Sequence, residues 1–287
     1  MAIETFLIEH EAVLRLGSFI GALAVLAAWE VFAPQRPLRR PRSARWAYAA
    51  ALTIPNLVLV RVLFPTAAVV VASTVEQRGS GLMQHWSLPY WIGVSIGVIA
   101  FDLAIYLMHL AFHTAPGLWR IHKLHHEDRD VDVATAVRFH PGQAVLSTLV
   151  KFAVIALLGT PVLAVVIFET AFHALLLFNH ANVRIPPKVD RVLRWFVITP
   201  AMHCVHHSVK REEADSNFGF ALPWWDRLLG TYRAAPAKGV TSVIFGVIPP
   251  QLDEVNHVEG LMHTKRGVSA GALPARDRGP TDMRRAS

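Results

Sequence analysis

Four long runs of apolar side chains limit what this chain can fold into more than any other feature. They cover residues 16–33, 46–73, 88–108 and 144–179. Since a helix needs about 20 mostly apolar residues to cross the hydrocarbon core of a bilayer, each run approaches or exceeds the length of a crossing. The 53% hydrophobic content and the mean hydropathy of +0.37 are also unusual for a soluble protein. We therefore predict an all-α fold, a polytopic membrane helical bundle.

Two of the runs contain residues that interrupt helices. Residues 46–73 include Pro55 and Pro65, which predict one broken crossing, with a helix followed by a re-entrant piece as the alternative. Residues 144–179 are interrupted by the sequence Gly-Thr-Pro at 159–161, which predicts two helices folded back as a hairpin. A hairpin returns the chain to the side of the membrane that it left.

The basic residues lie mostly beside the apolar runs. Five arginines occur within residues 36–45, and others concentrate in the C-terminal tail. Because positive loops tend to stay in the cytoplasm, residues 36–45 are predicted to be cytoplasmic, and two crossings later the chain is on that side again. No aromatic residues alternate with these arginines to stack on bases, so the net charge of +7 predicts no nucleic-acid partner.

Histidines carry the candidate chemistry. An HxxxH motif ends the third apolar run, an HxxHH motif follows it and recurs about eighty residues later, and a single histidine ends the hairpin. Spacings of three and four place side chains on one face of a helix, and neutral imidazole is a common metal ligand. The predicted metal ligands are His109, His113, His122, His125, His126, His180, His203, His206 and His207. Nine ligands exceed what one ion can use, so we predict two metal ions on one side of the membrane.

Six further residues are candidates for an extra ligand or for an acceptor that orients a ligand ring. They are His140, His173, Asp102, Glu127, Asn179 and Asp226. Asp132 is a further candidate acceptor, and for each acidic or amide residue a helix cap or a solvated charge is the alternative. The isolated His10, His85, His257 and His263 are predicted to be surface residues.

The same motifs exclude several other metal sites. The single cysteine, Cys204, rules out a four-cysteine zinc site and a cysteine-ligated iron–sulfur cluster. The histidine motifs lack the HExxH arrangement of zinc proteases. A non-catalytic membrane protein that binds or transports a metal remains the alternative. Transport needs ionisable residues along the spans, and the apolar runs contain few, such as Glu30, Arg61 and Glu169.

The ordered set of short motifs resembles the fatty acid hydroxylase and sterol desaturase superfamily of integral-membrane, non-haem di-iron oxygenases. The resemblance extends over about residues 97–233. Its carriers are Asp102, HLAFH at 109–113, LW at 118–119, HKLHH at 122–126, RFHP at 138–141, FNHAN at 178–182, TP at 199–200, HCVHH at 203–207, NFG at 217–219 and WDRLLGT at 225–231.

The resemblance implies a cytosolic histidine-rich helical cap over the membrane helices, with the nine histidines as ligands of two iron ions. Zinc could replace iron in the isolated protein. It also implies hydroxylation or desaturation of a sterol-like, fatty acyl or related lipid, with O2 as co-substrate. The HxxxH spacing is typical of sterol oxidases and alkylglycerol oxygenases. Since no cytochrome b5-like segment is fused, a separate cytochrome b5-, ferredoxin- or reductase-type donor is expected.

These inferences divide the chain into four regions. Residues 1–96 are predicted to form an N-terminal transmembrane region, and residues 97–235 the catalytic domain with its hairpin at about 144–179. Residues 236–263 form a C-terminal extension, and residues 264–287 a disordered tail. Within the catalytic domain, the tryptophans and leucines of residues 224–229 predict an amphipathic segment at the bilayer interface.

Overall fold

The computed structural model describes residues 2–64, 66–86, 88–237 and 239–247. Within these residues the regular secondary structure is helical, with two isolated β-bridges and no longer strand, so the predicted all-α fold is confirmed. Several predictions lie outside the described residues: His257, His263, the tail at 264–287 and most of the extension at 236–263.

Twelve α-helices occur in the described residues. In chain order they are α1 (Ala2–Glu9), α2 (Glu11–Phe32), α3 (Arg42–Leu63), α4 (Ala68–Gln77), α5 (Tyr90–Thr114), α6 (Pro116–His126), α7 (Pro141–Leu158), α8 (Val162–His180), α9 (Pro187–Leu193), α10 (Pro200–His206), α11 (Arg211–Ala214) and α12 (Trp224–Leu228). The long helices coincide with the apolar runs, and the short ones belong to the segments that join or follow them.

Five stretches of the described chain are long and apolar enough to cross a membrane. They are Glu11–Phe32, Arg42–His85, Tyr90–Thr114, Pro141–Leu158 and Val162–His180. Many of their large apolar side chains are exposed, as expected for helices whose outer faces contact lipid; Val25, Leu57 and Leu157 are examples. The chain is thus a multi-pass membrane protein.

The second of these stretches is a broken crossing. Pro55 lies inside α3 without ending it; α3 ends at Leu63, and α4 begins at Ala68. The stretch begins beside the histidines and reaches the opposite end of the bundle, where Gly81 lies against Gly159. Gly159 closes the predicted hairpin of α7 and α8. Its φ of +69° and the Ser80 carbonyl, 2.5 Å from where a Cβ would stand, both require glycine.

Helix α8 is the central element of the bundle and carries its most buried side chains. It packs against α2, α4 and α5, and Phe168 stacks on Phe101 of α5 with ring centroids 4.9 Å apart. Gly97 lets the two helices approach closely, since a Cβ there would lie 2.8 Å from Ala164 Cβ. Both helices have a histidine in their last turn, His113 in α5 and His180 in α8.

The arginine-rich loop lies at the same end of the bundle as those histidines. The Arg36 backbone N–H donates to Asn182 Oδ1 at 3.1 Å, two residues after α8 ends. Arg45, at the start of α3, pairs with Asp128 and Asp132, which follow α6. We call the described residues of 115–140 and 181–247 the cap.

Candidate metal centre

All nine predicted ligands meet where the long helices enter the cap. They form two adjacent groups, and within each group the candidate ligand atoms lie within 4.8 Å of one another. The first group is His109, His113, His122, His126 and His206; the second is His125, His180, His203 and His207. Every one of these side chains is buried.

The first HxxHH motif divides its rings between the two groups. Helix α6 begins with Pro116 in its first turn and ends at the last histidine of the motif. His122 and His126, four residues apart, share a face and join the first group. His125 joins the second group, because adjacent positions of an α-helix are rotated by about 100°.

The second HxxHH motif divides in the opposite sense. Thr199 and Pro200 start α10, and the motif follows within one turn. Here His203 and His207 share a face and join the second group, whereas His206 joins the first. Each repeat therefore gives two rings to one group and one ring to the other.

The long helices provide the remaining rings. His109 and His113, one turn apart at the end of α5, both join the first group, and His180, the last residue of α8, joins the second. The two groups are in direct contact, since the His126 and His207 rings stack with centroids 4.6 Å apart.

The ring nitrogens lie at separations expected around a metal ion. Nε2 of His122 is 3.0 Å from Nε2 of His109, and Nε2 of His180 is 3.0 Å from the Nε2 atoms of His125 and His203. With metal–nitrogen bonds of about 2.1 Å, neighbouring ligands of an octahedral ion are about 3.0 Å apart.

A hydrogen bond between the rings does not account for the contact of His109 with His122. Nδ1 of His109 lies 2.7 Å from the Phe218 carbonyl oxygen, and Nδ1 of His122 lies 3.0 Å from the side-chain carbonyl oxygen of Gln143. Because a carbonyl only accepts, these rings carry their proton on Nδ1, and their Nε2 atoms are bare lone pairs. Lone pairs directed at one another in a dry site repel unless a cation lies among them.

Several buried ring nitrogens have no hydrogen-bond partner among the described residues. They are Nε2 of His206 and Nδ1 of His125, His203 and His207. A buried polar atom without a partner costs about 1–3 kcal/mol. For Nε2 of His206 a metal ion would remove that cost, since Nδ1 of the same ring donates to the Ser216 carbonyl at 2.9 Å. The donor set therefore fits a metal.

Burial keeps the cap histidines in the neutral form that binds metals. It lowers the pKa of His122 to about 4. Burial, followed by the charge of His122, lowers the pKa of His206 to about 3. The pKa values of His125, His126 and His203 are also well below the usual value, again chiefly because of burial.

Comparison with known proteins matches residues 94–231 to the fatty acid hydroxylase family model. This part of the chain belongs to the fatty acid hydroxylase family. The matched residues include all nine histidines of the two groups. The predicted superfamily is thereby confirmed.

Several lipid enzymes are similar in sequence to this chain. The ornithine lipid hydroxylase of Rhizobium tropici is 28% identical over 237 residues, which cover 78% of this chain and 69% of the relative. Human alkylglycerol monooxygenase is 29% identical over 58% of this chain and 35% of its own length. Rat cholesterol 25-hydroxylase is 30% identical over 50% of this chain and 47% of its own. The chain thus spans only a third to a half of these two mammalian relatives. No solved structure matches.

Residues that the sequence motifs did not indicate orient several of the rings. Gln143 Oε1 lies 3.0 Å from Nδ1 of His122, and Asp215 Oδ1 lies 3.3 Å from Nδ1 of His113. The other acceptors are backbone carbonyls, such as that of Phe218. A carbonyl has no residue-type signal, and Gln143 stands in no metal-ligand spacing.

The additional histidine candidates lie outside both groups. His140 precedes α7 and caps it, since its Nδ1 accepts the Gly142 N–H at 3.0 Å. Nδ1 of His173 donates to the Glu169 carbonyl at 2.6 Å, within α8. The structure therefore brings neither ring to the metal centre.

The acidic and amide candidates do not contact the imidazoles either. Asp102 accepts the indole N–H of Trp225 at 2.8 Å, Asn179 donates to a backbone carbonyl, and Asp132 pairs with an arginine. The remaining two candidates are Glu127, which is exposed, and Asp226, which is buried.

Glu127 is exposed and lies 3.6 Å from Lys123. Asp226 accepts the backbone N–H groups of Phe218 and Gly219, at 2.8 and 2.9 Å. It therefore acts on His109 only through the backbone, by fixing the segment whose carbonyl accepts from that ring.

Proposed function

We propose that this chain is a membrane-bound oxygenase that hydroxylates a lipid, with O2 as co-substrate and two iron ions held by the nine histidines. The observation that carries the proposal is the convergence of nine buried imidazoles, from two membrane helices and two cap helices, on two adjacent points. The family membership and the printed activities of the relatives support a lipid as the substrate.

The two groups would hold one ion each. The five rings of the first group and the four of the second agree with the common coordination numbers of divalent transition metals. Bound iron would supply the activation of O2 that attack on an unreactive C–H bond requires. The chain's own contribution is to keep the rings neutral, to aim their Nε2 atoms inward, and to exclude bulk water.

The location of the groups suits a substrate that comes from the bilayer. His113 lies in the last turn of α5 and His180 is the last residue of α8, and both helices are apolar, so the proposed ions lie beside the hydrocarbon layer. Hydroxylation is preferred over desaturation because the named relatives are hydroxylases and a monooxygenase. We further propose that the cap is cytoplasmic, because residues 36–45 are rich in arginine and lie beside it.

Electrons for the reaction would come from a separate protein of the cytochrome b5, ferredoxin or reductase type. Metal transport is less well supported. Glu169, a charged residue inside a span, is paired with Lys151 and Arg15 rather than free to pass an ion along.

The test compares membrane lipids by mass spectrometry in cells that express the wild type, His125→Ala or His140→Ala. We expect a lipid with the mass of one additional oxygen atom with the wild type and His140→Ala, and none with His125→Ala. A product lacking two hydrogen atoms would instead indicate desaturation. The proposal is rejected if purified, iron-loaded protein with a competent reductase consumes no O2 with any lipid class.

A further inference from the structure

Two short cap segments expose more apolar surface than a soluble cap would. The first is residues 187–196, which contain α9, and the second is residues 224–232, which begin with α12; we call them together the platform. Its large exposed side chains, with exposed fractions from 45% to 75%, are Val189, Val192, Trp195, Phe196, Trp224, Leu228 and Leu229. Neither helix is long enough to cross a membrane, so this exposure requires another explanation.

Hydrogen bonds join the two segments into one surface. The Trp224 indole N–H donates to the Trp195 carbonyl at 2.7 Å, and Arg227 Nη2 donates to the Arg194 carbonyl at 3.0 Å. The apolar side chains of both segments therefore belong to a single patch.

The platform is attached to a membrane helix below the level of the metal centre. The Trp225 indole donates to Asp102 at 2.8 Å, and the Tyr106 and Thr231 hydroxyls are 2.8 Å apart. Asp102 precedes His109 by seven residues of α5, which is about 10 Å of helix toward the middle of the bilayer. These contacts hold the second segment of the platform against α5.

A basic groove of about 340 Å³ opens beside this patch. Three arginines and one aspartate line it: Arg191, Arg194, Arg227 and Asp190. Asp190 is paired with Arg194, which leaves the other two arginines without a carboxylate partner in the groove. The groove therefore favours an anion.

The side chain of Arg227 is fixed in position beside this groove. Its guanidinium lies between two rings, 4.4 Å from the Trp195 centroid and 3.9 Å from that of Tyr232. Its Nε–H is buried and has no hydrogen-bond partner among the described residues. A planar guanidinium fixed in this way loses little entropy on binding a phosphate.

We propose that the platform lies in the headgroup layer of the bilayer and that Arg227, with Arg191, binds the phosphate of a phospholipid. Tryptophans and arginines beside apolar side chains are typical of segments at this depth. Trp195 both lines the groove and is exposed in the patch, so one lipid can contact the groove with its headgroup and the patch with its chains. The site does not depend on oxygen chemistry.

The phosphate site is tested by the phospholipid that stays on the purified protein during detergent exchange, measured by mass spectrometry. We expect Arg227→Gln to weaken retention about tenfold, as for loss of a charge-assisted contact. Arg227→Lys should restore part of it, which a merely misfolded variant would not show. Arg40→Gln, an exposed arginine outside the platform, should behave as the wild type. Equal retention in Arg227→Gln and the wild type contradicts the site. Binding of inorganic phosphate by wild-type protein that retains no phospholipid contradicts a headgroup as the ligand.

The depth of the platform is tested in vesicles of phosphatidylcholine brominated near the headgroup. The fluorescence of Trp195, taken as the difference between wild type and Trp195→Phe, should be quenched by the brominated lipid and protected from aqueous iodide. Trp119, which packs against His113 in the metal centre, is the matched control and should not be quenched by the lipid. Quenching of Trp195 by iodide alone, or burial of the patch in a dimer, would overturn the proposal.

Discussion

Two buried polar clusters lie side by side at the cap, the metal centre and a cluster of arginines and aspartates. Their polar groups are paired in different ways. In the arginine cluster, Arg45 donates to both carboxylate oxygens of Asp128 at 2.8 and 3.0 Å and to both of Asp132 at 2.7 and 2.6 Å. Arg138 also pairs with Asp128. In the metal centre, by contrast, ring nitrogens face ring nitrogens. The arginine cluster pairs opposite charges within the chain, whereas the histidines gather donor atoms that the proposed metal ions would pair.

This difference divides the sources of stability of the cap. The arginine cluster joins the loop at 36–45 to the residues that follow α6 without any ligand. The nine imidazoles would add to stability only with metal bound, because binding to the folded state alone shifts the unfolding equilibrium. Removing a group from each cluster should therefore have distinct consequences.

The largest effect is expected for His180→Ala. Nε2 of His180 lies within 3.2 Å of Nε2 of three other rings, so its loss opens the four-ring group. We expect lipid hydroxylation to fall by more than about 100-fold, beyond what loss of an outer partner of a ligand costs. Bound metal should fall by one ion per chain, measured by elemental analysis. His140→Ala, which removes the N-cap of α7 and lies outside both groups, is the control. Equal activity in the two variants would contradict the ligand role.

Arg45→Met should disrupt the arginine cluster. It leaves Asp128 and Asp132 buried without their main partner, which costs about 3–5 kcal/mol of unfolding free energy. The measurement is thermal unfolding in detergent, with Arg40→Met, an exposed arginine of the same loop, as the control. Metal content per folded chain should change little. Unchanged unfolding of Arg45→Met would show that the cluster does not support the cap.

Metal removal should destabilise the metal centre and leave the arginine cluster unchanged. A chelator is expected to lower the unfolding free energy of the wild type by about 3 kcal/mol for each of the two ions, the value for a ligand present at some hundredfold its dissociation constant. The same treatment should affect His180→Ala less, since that variant has already lost one ion. Verified metal removal with no change in the melting temperature would separate the histidines from the stability of the cap.

The sequence predicted the parts of both regions that depend on residue type and local spacing. Apolar length indicated the helices, the Gly-Thr-Pro break indicated the hairpin at Gly159, and histidine spacing indicated the nine rings. Pairing across the chain could not be predicted, because nearness in sequence is not contact. Asp102 bonds to Trp225, 123 residues away, rather than to a histidine of its own helix. Arg45 meets Asp128 across 83 residues.

Helix geometry also decided details that spacing left open. The rotation between His125 and His126 sends adjacent rings to different groups, which the shared HxxHH pattern alone did not indicate. Pro55 is accommodated within α3, although it was a predicted interruption.

The smallest effect is expected for Gln143→Leu, which tests the two histidine groups of the metal centre separately. Gln143 is buried and contacts His122 of the five-ring group. Leucine removes the acceptor that fixes the proton on Nδ1, so Nε2 of His122 is no longer held as a free lone pair. Metal affinity should fall about 10- to 100-fold, as is typical when the partner of a ligand is lost. At limiting metal, about one ion per chain should be lost while the four-ring group stays loaded.

Gln143→Glu is the matched control, because a carboxylate oxygen can accept the same proton. It should recover most of the affinity that Gln143→Leu loses. If both variants bind metal like the wild type, His122 is oriented by packing alone, and the metal centre depends less on its surroundings than the arginine cluster does. If both lose metal from the two groups equally, the groups form one coupled site, because a contact made only to the five-ring group would then have emptied the four-ring group as well.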